Sequence, residues 1–170
     1  MERLEAIIEQ YGRWSELDIF ISRIKAHIDT DFSLCIENAN SLLDSICKEI
    51  CKERGVEVGK NPKFKATIKR AFEAIGYSAS DQITQISTSL SSIGQNLSEL
   101  RNQDGVTAHG KTLKELKQRN DAYSELTKEF LISSVVSTAL FLIKSFETAN
   151  PRAIQNNSEL PVKELSLIHI

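Results

Sequence analysis

Between residues 83 and 100 the apolar side chains Ile83, Ile86, Leu90, Ile93, Leu97 and Leu100 recur at intervals of 3, 4, 3, 4 and 3 residues. That alternation follows the turn of an α-helix and does not fit the period-two pattern of a half-buried strand. The spacing predicts a helix from about Asp81 to Asn102 that packs its stripe into a bundle. At ~100° per residue, Arg101 lies only ~40° round from Leu97, which puts a fixed cation at the edge of the stripe and at the end of the helix. A charge so placed needs a partner or a chemical task.

The rest of the chain is permissive of helix. Of 170 residues, seven are Gly and three are Pro, and the prolines stand only at Pro62, Pro151 and Pro161, so long stretches run without a breaker. Period-two runs of β-branched residues are missing. An apolar fraction of 41% at this length suits one domain with one core. The expected fold is all-α, a single-domain bundle of five to six helices.

The pattern places these helices in order. Glu2 to about Arg13 is a short helix, and Ser15 to about Ile28 a second, with Ser15 as N-cap and Leu17, Phe20, Ile21 and Ile24 as its stripe. Thr30 or Asp31 starts a long helix to about Arg54, stopped by Gly55, with Ala39, Leu42, Leu43, Ile46 and Ile50 facing inward. Pro62 suits the first turn of the next, which carries Phe64, Ile68, Phe72 and Ile75 and stops at Gly76. Ser78 or Ser80 caps the striped helix. Residues 104–110 are a break, Lys111 to Arg119 is a basic loop or short turn, and about Asn120 to Thr148 is the last helix. That last helix is expected to run antiparallel to the striped one and to pack against it.

Several functions are excluded at this level. The longest uncharged apolar run, Phe130 to Ile143, has fourteen residues and four hydroxyls, short of the ~20 that cross a bilayer, so it reads as a central core helix and no membrane partner is expected. Glu2, Arg3 and Glu5 stand where a signal peptide carries a positive start and an apolar block, which points to the cytoplasm. Cys35, Cys47 and Cys51 all fall on one expected helix, a poor disulfide framework; Cys47 and Cys51 are one turn apart, but no His follows at zinc-site spacing, so core thiols and no metal or cofactor are expected. No P-loop, Rossmann glycine motif, Ser-His-Asp order or metal-ligand cluster occurs.

The stretch that carries chemistry is Leu100-Arg101-Asn102, then Gly105, then Ala108-His109-Gly110-Lys111, followed by a long apolar helix from about Tyr123 to Phe146. Together with Ser33 to Lys48, a segment of alternating small and apolar residues ending in Cys47-Lys48, it resembles the C-terminal domain of abortive infection proteins, relatives of the HEPN superfamily, over residues 30–148. The resemblance implies a helical, often dimeric protein, in many members a metal-independent endoribonuclease whose Arg, the polar residue after it, and a His some residues on form the active site. Carried over, those roles fall on Arg101, Asn102 and His109. Seven residues separate Arg101 from His109, one more than the widest usual spacing.

Read from chemistry alone, an imidazole supplies a general acid or base for a ribose 2′-hydroxyl, and a guanidinium meets the charge that builds on the phosphate. The same two residues also have ordinary uses: Arg101 can pair with Asp104 or with the helix C-terminus, and His109 can cap the segment that follows. His27, beside Lys25 and Asp29 near a helix end, is assigned no role.

Net charge is −2, so there is no global pull on nucleic acid. Locally, Lys60, Lys63, Lys65, Lys69 and Arg70 meet no acid before Phe72, and Lys111, Lys114, Lys117 and Arg119 follow the His-Gly with only Glu115 opposing. Such runs are commonly solvated helix faces. The second adjoins Arg101 and His109 and is the one placed to track an RNA backbone.

The expected domain organisation is an N-terminal helical extension over 1–29, the domain over 30–148, and a polar tail over 149–170. Its last six residues, Leu165-Ser166-Leu167-Ile168-His169-Ile170, read as translated transposon-end sequence from library preparation, which leaves His169 without a role. Three uses of the domain stand side by side: an RNA-cleaving effector of phage defence; a non-catalytic interaction or dimerisation module of a defence or toxin-antitoxin system, partnered by an antitoxin or sensor protein; and a plain helical scaffold of unrelated role. In the first two, a homodimer is expected, with Val135, Val136, Leu140, Phe141 and Ile143 of the last helix as its self-complementary patch.

Overall fold

A computed structural model describes residues 1–103 and 112–149; within that range, the side chains of Ile93, Gly94, Leu97, Ser98, 100–103, Leu116 and Arg119 are outside the described set. The described residues form α1 (Glu2–Gln10), a 3-10 helix (Gly12–Leu17), α2 (Asp18–His27), α3 (Phe32–Glu53), α4 (Phe64–Ala74), α5 (Gln82–Gln103), α6 (Leu113–Asp121) and α7 (Glu125–Ala149), with no strand among them. The fold is all-α.

The hub is α3, against which α2, α4, α5 and α7 pack. Leu42, Leu43, Ile46 and Ile50 on it are wholly buried, and burial of each such side chain stabilises the fold by about 1.5–3 kcal/mol. Its ends follow the sequence signals. The Asp31 carboxylate accepts from the Leu34 backbone N–H at 3.1 Å. At the other end Gly55 takes φ +68°, while its N–H reaches Lys52 O and the Val56 N–H reaches Cys51 O. Gly76 stops α4 in the same way at φ +100°, with the Tyr77 N–H on Phe72 O, and the rings of Tyr77 and Phe72 meet edge-on at 6.1 Å.

Five expectations are corrected. The chain from Ser15 does not enter a helix capped by that residue: Gly12–Leu17 forms a 3-10 helix and α2 begins at Asp18. Three residues per turn put Trp14 and Leu17 on one side, both buried, and let the Trp14 indole N–H reach Glu147 Oε1 at 2.7 Å. Pro62 stands two residues ahead of α4, where Lys63 takes the N-cap position.

The third correction divides the last helix. Lys111 to Arg119 is not loop, since α6 runs through most of it, and α7 starts only at Glu125. Thr112 and Glu115 make a capping box: the Glu115 carboxylate accepts from the Thr112 N–H at 2.8 Å, and Thr112 Oγ1 accepts from the Glu115 N–H at 3.3 Å. The Ser124 hydroxyl accepts from the Thr127 N–H and starts α7.

The fourth concerns the stripe. The helix α5 forms as the spacing predicts, and it packs on α3, α4 and α7. Yet the face turned inward is Thr84, Ser87, Thr88 and Ser91, all buried, while Ile83 and Ile86 are 41% and 55% exposed and Leu90 is half-buried. The periodicity shows that a face is apolar without showing what it faces. Ile93, expected to be buried in the middle of the stripe, has a side chain outside the described set.

By length and composition α7 is apolar enough to cross a membrane, but most of that window is buried inside the bundle against α1, α3 and α5. The patch expected on it is not free. Ile143, Val135 and Leu140 are buried, and Phe141 stacks on Phe72 at 5.8 Å and meets Tyr77 at 5.5 Å. The Tyr77–Phe141 contact also sets the approach to α5 beside the C-terminal half of α7, the arrangement an antiparallel pair requires.

Candidate functional site

Arg101 and Asn102 fall in the last turn of α5, which ends at Gln103. Their side chains, and His109 and Lys111 altogether, lie outside the described residues, so the expected approach of Arg101 to His109 does too. A helix C-terminus carries a partial negative charge, and a cation in its last turn is favoured there whatever else it does. The chain is described again from Thr112, three residues beyond His109, where the capping box fixes the start of α6. Along α6, Lys114 and Lys117 are exposed, and Arg119 belongs to its backbone.

The far end of α6 is tied down by a residue that the sequence reading gave no task. The Asn120 side-chain oxygen accepts from the Phe32 backbone N–H at 2.9 Å, and its amide donates to Asp29 O at 3.1 Å. Phe32 opens α3, where the first N–H groups have no partner in their own helix. Tyr123 then packs on the Phe32 ring with centroids 5.4 Å apart. Thus α6 is fixed to the α2–α3 turn, its two exposed lysines outward. The Thr-x-x-Glu pattern at Thr112 and Glu115 was the signal for this helix, and the density of lysines obscured it.

Beside this anchor, Lys128 is 5% exposed; its ammonium pairs with Glu125 at 3.0 Å and sits 5.9 Å from the Phe32 ring centroid. It is near enough to act on Cys35. Burial first, then the charges of Asp29 and Asp31, push the Cys35 thiol up to about 12, against a smaller opposing pull from Lys128. Burial also raises Cys47 well above the ordinary range, and Cys51 is raised chiefly by burial too. All three thiols are core groups with little thiolate, which is no basis for nucleophilic chemistry. Among the described residues, no group of three or more His, Cys, Asp or Glu is placed to hold a metal ion.

The first basic run forms the outer face of α4 and the loop before it: Lys60, Lys63, Lys65, Lys69 and Arg70 are all exposed, and the Arg70 guanidinium donates to Glu57 O.

Compared with known proteins, residues 17–146 match the family model Abi_C, described as a HEPN-like domain. The chain belongs to that family. The Abi_C match takes in α2 to α5, the 104–111 segment, α6 and nearly all of α7, so Arg101, Asn102 and His109 all lie inside it. No curated protein and no solved structure matches the chain. Membership supports an abortive-infection, HEPN-family role.

Proposed function

We propose that this Abi_C domain is a phage-defence effector that cleaves RNA without a metal ion or other cofactor. The observation that carries the reading is that Arg101 and Asn102 end α5 within the family match, one short segment before the anchored and lysine-bearing α6. In this reading His109 acts as general base or acid at the ribose 2′-hydroxyl, and Arg101 clamps the scissile phosphate. Asn102 orients it by hydrogen bonds. The 2′-oxygen attacks phosphorus and the P–O5′ bond breaks. The proton lost from the 2′-hydroxyl is matched by one given to the leaving 5′-oxygen, leaving a 2′,3′-cyclic phosphate and a 5′-hydroxyl. Lys111, Lys114, Lys117 and Arg119 hold the flanking backbone. Two copies bring two Arg101/His109 pairs to one groove, and the protein works in the cytoplasm, where its RNA is.

The test is toxicity on expression together with cleavage of RNA by purified protein. Arg101→Ala and His109→Ala should each abolish both with melting unchanged, wild-type cleavage should survive excess chelator, and products should carry cyclic phosphate ends. Cleavage that stops with chelator would overturn the metal-free mechanism.

A second use, as a non-catalytic module for an antitoxin or sensor protein, has one observation in its favour. Leu126 and Phe130, one turn apart on α7, are 79% and 54% exposed. A protein without toxicity and without RNA affinity at low salt would favour it.

A further inference from the structure

Where α4 ends against the C-terminal half of α7, a shallow groove of about 780 Å³ opens, in the size range of small-ligand clefts. Ile75, Tyr77, Phe141, Lys144, Ser145 and Thr148 line it, and no acid is among the described residues that do so. The rings are held from behind. Phe141 stacks on the wholly buried Phe72 at 5.8 Å with planes 16° apart, and Tyr77 meets Phe72 at 6.1 Å and Phe141 at 5.5 Å. Tyr77 and Phe141 are themselves half-buried, so part of each ring stays open to the groove.

Positive charge surrounds these rings. Lys144 is exposed on the α7 wall, and at the groove's end Arg54 donates to the Ala149 carbonyl at 3.3 Å. The helix α4, which leads to Ile75, carries exposed Lys65, Lys69 and Arg70 against one acid, Glu73. Thr148 donates its hydroxyl proton to Lys144 O, which leaves its oxygen as an acceptor for a base amino group. A backed ring surface, a cation and a hydroxyl acceptor together suit a nucleotide, whose base stacks while its phosphate meets the ammonium. The groove is too shallow to enclose a free mononucleotide, since small-molecule sites bury most of their ligand. A strand that adds this contact to others along its length fits it better.

From the backed rings and the cations around them we infer that this groove takes an unpaired base of single-stranded RNA on Tyr77 and Phe141, with the adjoining phosphate at Lys144. Tyr77 stands just ahead of the start of α5, and that helix has 22 residues, so Arg101 near its other end is about 30 Å away. The groove holds the strand at a distance from the proposed chemistry. It deepens the RNA reading above and rests on that reading for the kind of strand, since the groove is read by binding and the chemistry by cleavage.

The experiment is fluorescence anisotropy of the full chain with an unstructured 2′-O-methyl RNA, which resists cleavage through the 2′-oxygen. It compares wild type with Tyr77→Leu, Tyr77→Phe and Lys144→Gln, with thermal melting alongside. Tyr77→Leu should weaken binding about 10-fold, the loss of one stacked base, while Tyr77→Phe keeps the ring and should bind as wild type. Lys144→Gln, at an exposed position, should melt as wild type and shrink the slope of log affinity against log salt by about 0.7. If Tyr77→Leu fails to fold, ultraviolet crosslinking of the wild-type complex decides, and the label should fall on the peptide that holds Tyr77. A wild type that binds no RNA, a folded Tyr77→Leu of wild-type affinity, or labels confined to α6 overturns the inference. So does AMP that displaces the strand at equal nucleotide concentration, which would make the groove a mononucleotide site. Tyr77-dependent binding without cleavage of ordinary RNA would leave the groove standing and fail the catalytic reading; cleavage with binding indifferent to Tyr77 would do the reverse.

Discussion

Asn120 and Phe32, 88 positions apart, are joined by a 2.9 Å hydrogen bond from the Phe32 backbone N–H to the Asn120 side-chain oxygen. The same amide group donates to Asp29 O. One residue at the end of α6 therefore satisfies a donor at the start of α3 and an acceptor in the turn before it. Asn120→Ala should lose both bonds and leave the Phe32 N–H to water. The expected cost is about 1–3 kcal/mol, and amide exchange at Phe32 should accelerate without a matching change at Leu42 or Ile46. Uniform acceleration across α3 would show that the clamp has no local role.

Glu147, 5% exposed, gathers groups from distant parts of the chain. Its Oε1 accepts from the Trp14 indole at 2.7 Å and lies 3.9 Å from Arg13 Nε. The Arg13 guanidinium also pairs with Glu53 at 3.2 Å and stands 5.0 Å from the Phe146 ring centroid. Glu147→Ala leaves the buried Trp14 indole N–H without its acceptor while Arg13 keeps Glu53, so it should cost roughly 1–3 kcal/mol in urea unfolding. Glu147→Gln keeps an acceptor for the indole and should cost less. Equal losses would mean that the charge, not the indole acceptor, is what matters.

The three thiols give a pH dependence with a definite sign. Cys35 is raised from the ordinary 9.0 to about 12 in the fold, so the folded state holds its proton over a range where the unfolded chain releases it. The stabilisation is complete below pH 9 and is lost as pH climbs toward 12. Unfolding free energy should fall over that window, and less steeply in Cys35→Ala than in wild type. At neutral pH a thiol reagent should label none of the three until denaturant is added. Rapid labelling of the native protein would contradict their burial.

Lys114 and Lys117 are exposed along α6. If they contact RNA phosphates, Lys114→Gln/Lys117→Gln should weaken binding to all sequences alike. For two single-strand contacts, the slope of log affinity against log salt should shrink by about 1.4. An unchanged slope would remove α6 from the RNA path.

Part of the punctuation was legible in the sequence, although Ser15 and Pro62 misled. Gly55, Gly76 and Asp31 act locally, through backbone conformation and one side chain, and their effect needs no knowledge of the fold. The 3-10 helix at Trp14 was not legible, because it follows from an acceptor 133 positions away on α7. The helix α6 was written in Thr112 and Glu115 but hidden by its lysines. For α5, existence and span were legible and orientation was not: both of its faces are plausible against a neighbour, and which one turns inward depends on the shapes of α3, α4 and α7. At the candidate site, order along the chain was legible, since Arg101 and Asn102 do end a helix. Their approach to His109 depends on residues 104–111.

Three of the hydroxyls on the bundle side of α5 and α7 are bonded along their own helices. Thr88 donates to Thr84 O, Ser134 to Phe130 O and Thr138 to Ser134 O. Such a bond stays with its helix when the helix moves, so it sets no register against a neighbour. A small slide of α5 along α7 would break none of these three bonds.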